Sequence, residues 1–554
     1  MSMSDIEMLF SFIGGLGMFL YGMNVMADGL QRSAGNKMKQ LLGFLTNNRF
    51  LAVIVGAAIT AIIQSSSATT VMVVGFVNAG ILSLSQAVGV IMGANIGTTI
   101  TAWIVSMSEW GSFFKPEFLA PLVIGIGSFT MLFSKSSKKK LVGEIAVGFG
   151  VLFIGLSFMS EAITPYKDAP IFSKAFTVLG SNPILGILAG AAVTGIIQSS
   201  SASVGILQTL ALNGVVNWKS AVYITLGQNI GTCITAIISS AGAQKMAKRA
   251  AVIHLLFNVI GAVTFGVIMF IVFSFVPDFG TSTISAVQIS IFHTIFNVSN
   301  TLILFPFANQ IVKLSGIIIK DSEVIVEGEE PEEAITLRHL DARILESPTF
   351  AVENAILEVV HMGNVATANA KLAFESAKEN NLDKINKVYE NEKTINNLEK
   401  LITEYLVKIT NLSLSEKQHM IINNLFYTIS DIERVGDHAE NIAELAEFKA
   451  KNNIVFSDTA QEEITKIMAI GLESIENAIL ARKEENIEYV RKVVEYEDMV
   501  DNMEEELREK HIERLSNRLC KAEAGIVFLD IISNLERISD HAYNIAGYVK
   551  DEME

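Results

Sequence analysis

The chain has 554 residues, half of them hydrophobic and only 18% charged, with a mean hydropathy of +0.41 and a formal net charge of −16. The average joins two unlike parts: residues 1–320 carry 17 Lys and Arg against 9 Asp and Glu, and the remainder 25 against 49. This excludes a single soluble globule, a disulfide scaffold (Cys233 and Cys520 fall in different parts) and, by its acidity, a nucleic-acid binder.

What it predicts is an all-α chain: a polytopic membrane domain over 1–320, an acidic linker over 321–340, and a soluble helical domain over 341–554. The N-terminus lacks the basic start and cleavage site of a signal peptide, so residues 9–27 are expected to remain as a first membrane segment. The membrane part is duplicated. "QSSSATT" at 64–70 returns as "QSSSASV" at 198–204, and "GANIGTTITA" from Gly93 returns as "GQNIGTCITA" from Gly227, both at an offset of 134. "LGMFLYGMNVM" at 16–26 resembles "FGVLFIGLSFM" at 149–159 at an offset of 133. The repeats run over about 8–134 and 141–275, leaving the apolar run 286–312 as an extra helix.

Loop charges orient the repeats oppositely. Arg32, Lys37, Lys39 and Arg49 outweigh Asp28 in the first, whereas Lys167 and Lys174 are balanced by Glu161 and Asp168 in the second. The next loops reverse this: Glu109, Lys115 and Glu117 against Lys245, Lys248 and Arg249. By the positive-inside rule the repeats are inverted, an arrangement secondary transporters use for alternating access. Passing from inside near residue 49 to outside near 109 needs an odd number of crossings, yet 50–107 holds two apolar blocks. The block around Gln64, Ser65, Ser66 and Ser67 is therefore expected to be re-entrant, and likewise the one around Gln198, Ser199, Ser200 and Ser201.

Two polar tips meeting near the midplane make a site with unusual chemistry. No Lys, Arg or His occurs between 50 and 108, and only Lys219 between 182 and 244. An anion there must be held by hydroxyls, amides and the N–H groups of restarting helices. The same oxygens suit a small alkali cation, whose charge would help to hold the anion. Asn95 and Thr98, with Asn229 and Thr232 at equivalent positions, extend the candidate set, although small and polar residues also serve plain helix packing. His254 and His293, each four residues before an Asn, read as interhelical hydrogen-bonding groups, with proton relay as the alternative.

The paired "QSSSA" motifs in inverted repeats resemble the type II sodium/phosphate cotransporter family over roughly residues 8–312. The resemblance implies re-entrant hairpins and a pathway for inorganic phosphate and Na+, with Gln64 to Ser67 and Gln198 to Ser201 as ligands and Thr69, Thr70 and Ser203 as neighbours. The short helix at 118–133 stands where animal members carry a large glycosylated loop, which marks the bacterial kind.

The acidic part has its own repeat. "ERVGDHAENIAE" from Glu433 matches "ERISDHAYNIAG" from Glu536, and "YENEKTINNLEKLI" at 389–402 matches "EYEDMVDNMEEEL" at 495–507. Each unit is about three long helices, so a pseudo-symmetric pair of three-helix bundles is expected. Glu433 and Asp437, and likewise Glu536 and Asp540, share a helix face at i,i+4. Carboxylates so placed suit a multivalent cation. On spacing alone, ion pairs with Arg434 and Arg537 are the simpler account. The region from about 340 to 550 resembles a PhoU-like domain, which implies metal ligation, often of iron, by those four acids, with Glu392, Glu497 and Asp498 as further ligands, and a part in controlling phosphate uptake.

Together these readings predict a multi-pass protein of the cytoplasmic membrane that is not an enzyme. Its expected partners are inorganic phosphate, sodium and membrane lipids. Rival readings are a membrane-anchored phosphate sensor, another oxyanion, or proton coupling through the histidines. The extra helix or the acidic bundle offers surface for a homodimer, which nothing in the pattern demands.

Overall fold

The computed structural model describes residues 3–43, 48–110, 116–167, 169–320, 340–379 and 381–553, and its named elements are all helices. Lys115, Asp168 and the linker through residue 339 lie outside the described residues, as do the side chains of Lys37 and Lys39. Two compact units form: one from the N-terminal part together with Asp341–Phe350, the other from Ala351 onward.

In the first unit the repeats are α1 (Met3–Gly43), α2 (Arg49–Ile63), α3 (Ser66–Asn78), α4 (Leu84–Ser106) and α5 (Pro116–Phe133), then α6 (Ser137–Ile163), α7 (Pro170–Ser181), α8 (Pro183–Ile197), α9 (Ser200–Leu212), α10 (Trp218–Ser239) and α11 (Lys245–Phe275). The short α12 (Pro277–Thr281), α13 (Ala286–Leu304) and α14 (Ala308–Ile318) follow. Among the described residues six helical stretches are long and apolar enough to cross a membrane: α1, α4, α6, α10, α11 and α13–α14. A seventh arises if α7 and α8, bent by 114°, count as one span. By contrast α2 and α8 have 15 residues each and α3 and α9 have 13. At about 1.5 Å per residue each reaches only ~20 Å, short of a ~30 Å hydrocarbon core.

Glycines set the direction of travel. A Cβ on Gly93 would lie 1.9 Å from the Val53 carbonyl, and one on Gly97 2.5 Å from that of Ala57, so α4 runs parallel to α2 in close contact. Gly89 lies against the Arg49 carbonyl, so the two helices also start level. The chain therefore climbs α2, turns at 64–65 and comes back along α3 before α4 begins. Gly227 against Ile187 and Gly231 against Ala191 repeat this in the second half.

The equivalent helices α1 and α6 meet differently. Gly15 approaches the Gly155 carbonyl and Gly22 that of Gly148; the 133-residue offset pairs Gly15 with Gly148 and Gly22 with Gly155, so the repeat exchanges the two contacts. Contact indices that rise on one helix and fall on the other mean antiparallel packing about a local two-fold axis.

The segment Asp341–Phe350 is part of this unit's core. Ile344 and Phe350 are fully buried, and Phe350 stands edge-on to Phe76 of α3 at 5.8 Å. Asn78 Nδ2 donates to Asp341 Oδ2 (2.8 Å), Arg343 Nη1 to the Ser239 carbonyl (3.1 Å) and Gln31 Nε2 to Ser347 Oγ (2.8 Å).

The second unit holds six long helices: α15 (Pro348–Glu379), α16 (Leu382–Thr410), α17 (Glu416–Lys451), α18 (Asp458–Glu484), α19 (Ile487–Ser516) and α20 (Ala522–Met553). Apolar stripes at helical spacing are buried, as with Leu425, Ile429, Ile432 and Val435 on α17 and Phe528, Ile531, Leu535 and Ile538 on α20.

Candidate functional site

The two polar tetrads adopt the same backbone. Gln64 ends α2 in the left-handed region (φ 58°), as Gln198 ends α8 (φ 55°), and each donates its N–H to a threonine carbonyl four residues back, at 2.7 Å. Ser65 and Ser199 are then extended and cap the next helix, their hydroxyls accepting from the N–H of Ala68 (3.1 Å) and Ala202 (3.2 Å). A left-handed residue other than glycine costs about 1–2 kcal/mol. Its occurrence twice at equivalent positions marks a conformation kept for use.

Behind each turn sits matched support. Thr60 Oγ1 donates to Thr69 Oγ1 (3.0 Å) and Thr194 Oγ1 to Ser203 Oγ (2.8 Å). Gln228 Nε2 also donates to the carbonyl and hydroxyl oxygens of Ser203, while Thr70 donates to the carbonyls of Ser66 and Ser67.

Both turns open on one cavity of about 210 Å³, lined by Gln64, Ser65, Ser67 and Gln198 to Ser201, together with Asn24, Met23 and Ala27 of α1. Among the described residues that line it, none is cationic. The helix starts of α3 and α9 present their first N–H groups here, so the cavity offers hydroxyls, amides and two positive helix ends. Ser66, Thr69, Thr70 and Ser203 are buried beside it without lining it. Asn24 is the residue the motif search missed; its only signal is an amide inside an apolar helix.

Other expected site residues lie elsewhere. Asn95 Nδ2 donates to the Ile91 carbonyl (2.8 Å), Thr98 to that of Ala94 (3.0 Å) and Thr232 to that of Gln228 (3.0 Å). Asn229 Nδ2 donates to Asn297 Oδ1 (2.7 Å), and its Oδ1 lies 3.1 Å from His293 Nε2. This ties α10 to α13 as an interhelical link. His254 is buried, and among the described residues neither ring nitrogen has a hydrogen-bond partner.

The two halves of the site differ in exposure: Gln64 is 5% exposed and its Oε1 accepts from Thr101 (3.0 Å), whereas Gln198 is exposed. The residue equivalent to Thr101, Thr235, is half-buried, and its buried hydroxyl oxygen has no hydrogen-bond partner among the described residues.

In the second unit the acidic residues form two groups. Glu392 is 3% exposed, neither carboxylate oxygen is hydrogen-bonded among the described residues, and a Cβ on Gly436 would sit 2.5 Å from its Oε2. Burial first, then Asp437, Glu440 and Glu433, push its carboxyl up to about 8. Arg434 pairs with Asp437 (3.1 Å) and Glu433 (3.7 Å), so the ion-pair account holds for part of this group. In the other repeat Glu497, Asp501 and Asp540 converge, their oxygens within 4.8 Å of one another. Burial, with neighbouring carboxylates, also raises Glu497, Glu536 and Asp540. Asp501 is an addition, standing where the first repeat has Asn396, and Asp498 is not in the convergent group. An orphaned buried carboxylate, a glycine that makes room for it and a three-acid cluster form a donor set suited to hard multivalent cations.

A family model described as Na+/Pi-cotransporter matches residues 18–161 and 169–295. A PhoU-domain model matches 359–446 and 464–549. The chain belongs to the Na+/Pi-cotransporter family. It is a multi-pass membrane transporter of this family, not an enzyme, with a soluble PhoU-like C-terminal domain. Within the family, it is 24% identical to the Escherichia coli K12 protein named "Putative inorganic phosphate export protein YjbB" over 98% of each chain. It is 30% identical to YqeW of Bacillus subtilis over 56% of this chain and 98% of that one. Sodium-dependent phosphate transport protein 2A of Rattus norvegicus is 32% identical over 30% of this chain and 26% of its own.

Proposed function

We propose that this Na+/Pi-cotransporter relative carries inorganic phosphate with Na+ by alternating access across the cytoplasmic membrane, under control of its PhoU-like domain. The observation that carries this reading is the cavity shared by Gln64, Ser65, Ser67 and Gln198 to Ser201, which has polar donors but, among the described residues, no fixed cation. Phosphate there is held by hydroxyls, amides and helix N-termini. Co-bound sodium, liganded by the same hydroxyl and carbonyl oxygens, supplies the missing positive charge. The level, parallel starts of α2 and α4 support re-entrant hairpins, and the antiparallel α1–α6 pair supports inverted repeats. Arg32, Arg49 and the basic loop charges support a cytoplasmic C-terminal domain. In that domain Glu392, Glu433 and Asp437 form one cation site, and Glu497, Asp501, Glu536 and Asp540 the other.

The test is counterflow of labelled phosphate in proteoliposomes, with and without a sodium gradient. Wild-type protein is expected to exchange phosphate only with sodium present, and Gln64→Ala or Ser200→Ala to lower the rate by about a hundredfold or more, as for loss of a core ligand contact with its buried partners left unpaired. Wild-type flux from both variants sinks the site assignment. Flux driven by pH and indifferent to sodium moves the coupling to protons, and absence of flux leaves a sensor.

A further inference from the structure

A second cavity, in the PhoU-like unit, breaks the domain's charge pattern. It measures about 430 Å³ and lies where the loops opening α18 and α20 meet the end of α19. Among the described residues its wall carries Arg514, Arg518 and Lys521 against one carboxylate, Glu523, in a part of the chain with about twice as many acids as bases. Its lining also includes the apolar Ile454, Phe456 and Leu519.

The matching turn of the first repeat, Asn411 to Ser415, carries no cation. Asn411 ends α16 and Asn517 ends α19, and the loops that follow are of equal length. Counted from those helix ends, Leu412 stands opposite Arg518, and Ser415, which precedes α17, opposite Lys521, which precedes α20. Ser415 caps α17 in a reciprocal capping box with Gln418. Lys521 takes the same place at the head of α20, its carbonyl accepting from the Gly525 N–H (3.0 Å). A lysine there discards the cap and sets a positive charge on the positive end of a 32-residue helix. Arg518 adopts a left-handed backbone (φ 57°). Broken local rules of this kind concentrate at functional sites.

Buried donors point the same way. Arg514 gives Nη1 to Glu463 (2.8 Å) and its guanidinium lies over the Phe528 ring (5.4 Å), while its Nε and Nη2, the side-on fork that matches an oxyanion, are buried with no hydrogen-bond partner among the described residues. His511 is 3% exposed with Nδ1 unpartnered and its ring stacked on Phe528 at 4.6 Å. Inorganic phosphate is far smaller than a cavity of this size, which falls in the range of ordinary small-molecule sites.

We propose that this cavity binds a phosphorylated small molecule of nucleotide size, its phosphates on Arg514, Arg518, Lys521 and the start of α20, its ring against Phe456, Ile454 and Leu519. A metabolite anion would thereby reach the regulatory domain at a place separate from its acidic clusters and from the transport cavity.

Cys520 lines the same cavity and is partly exposed, whereas Cys233 is fully buried in the membrane unit. Alkylation of Cys520 by iodoacetamide, followed by peptide mass in the full-length protein in detergent, therefore reports on this site alone. ADP is expected to slow labelling about tenfold at saturation, with adenosine or inorganic phosphate far weaker. Lys521→Ser, which restores the cap of the first repeat, should raise thermal stability yet weaken ADP protection about tenfold, and Arg518→Ala should weaken it similarly. Protection must persist in Gln64→Ala, so failure here and failure of the transport reading are distinguishable. Absence of ADP protection, or protection unchanged in both variants, overturns the proposal. Equal protection by phosphate alone overturns its nucleotide half.

Discussion

At the scale of single residues, Glu392 illustrates how position decides chemistry. An exposed glutamate on this helix would titrate in the ordinary range, but burial and three neighbouring acids raise it to about 8. The raised carboxyl binds a proton in the folded state that the unfolded chain has lost above about 4.5, so between about 4.5 and 8 stability falls as pH rises. Glu433, Glu440, Glu497, Glu536 and Asp540 are raised too, and act in the same direction. Chelator-treated protein is therefore expected to melt at a lower temperature at pH 8.5 than at pH 5.5. Glu392→Gln should remove much of that slope and stabilise the metal-free form at pH 8.5. A multivalent cation should restore wild type but not the variant. A slope unchanged in Glu392→Gln, followed by scanning fluorimetry, removes Glu392 from the cluster.

At the scale of elements, the segment Asp341–Phe350 belongs by packing to the helices that precede the linker, although by sequence it opens the acidic part. It fastens the far end of α3, the helix whose first turn forms the tetrad cavity, through Asn78, Phe76 and the close approach of Ile344 to Gly75. Burying Ile344 and Phe350 contributes on the order of 1.5–3 kcal/mol each. A chain truncated after Phe350 is expected to keep a stably folded membrane unit. One truncated before Asp341 should lose about 3–6 kcal/mol and elute as aggregate from detergent gel filtration. Equal behaviour of the two truncations removes the segment's structural role.

What the sequence made legible at this scale was duplication: fixed offsets of 134 and 133 located Gln64, Gln198 and the α1–α6 pair. Spacing names a helix but not the face it turns to a cavity, so Asn95, Thr98, Asn229 and Thr232 were placed on the right helices yet hydrogen-bond away from the tetrads. Asn24 and Asp501 escaped notice because neither is repeated. The fastening of α3 escaped because its partners lie 263 positions apart.

At the scale of the molecule, the two repeats are alike in backbone but unlike in exposure. Gln64 is enclosed and held by Thr101, while Gln198 is open. On the proposed alternating-access mechanism the structure is one conformer of a pair, with access passing by the second tetrad. With the opposite conformer a minor population, Gln198→Cys in a Cys520→Ser background should react about tenfold or more faster than Gln64→Cys with a membrane-impermeant thiol reagent, from one face of sealed vesicles only. Labelling from both faces at equal rates would remove the one-sided reading.

The cavity's lack of a resident cation has a thermodynamic corollary. On the proposed mechanism nothing permanent retains the anion once its accompanying ions depart, so loading and unloading are the same step run in opposite senses. Such a device works as a reversible valve: the sum of the ion and phosphate gradients, rather than any built-in polarity of the two halves, fixes the sign of net traffic. A cell flooded with phosphate and one starved of it could draw opposite service from a single gene product.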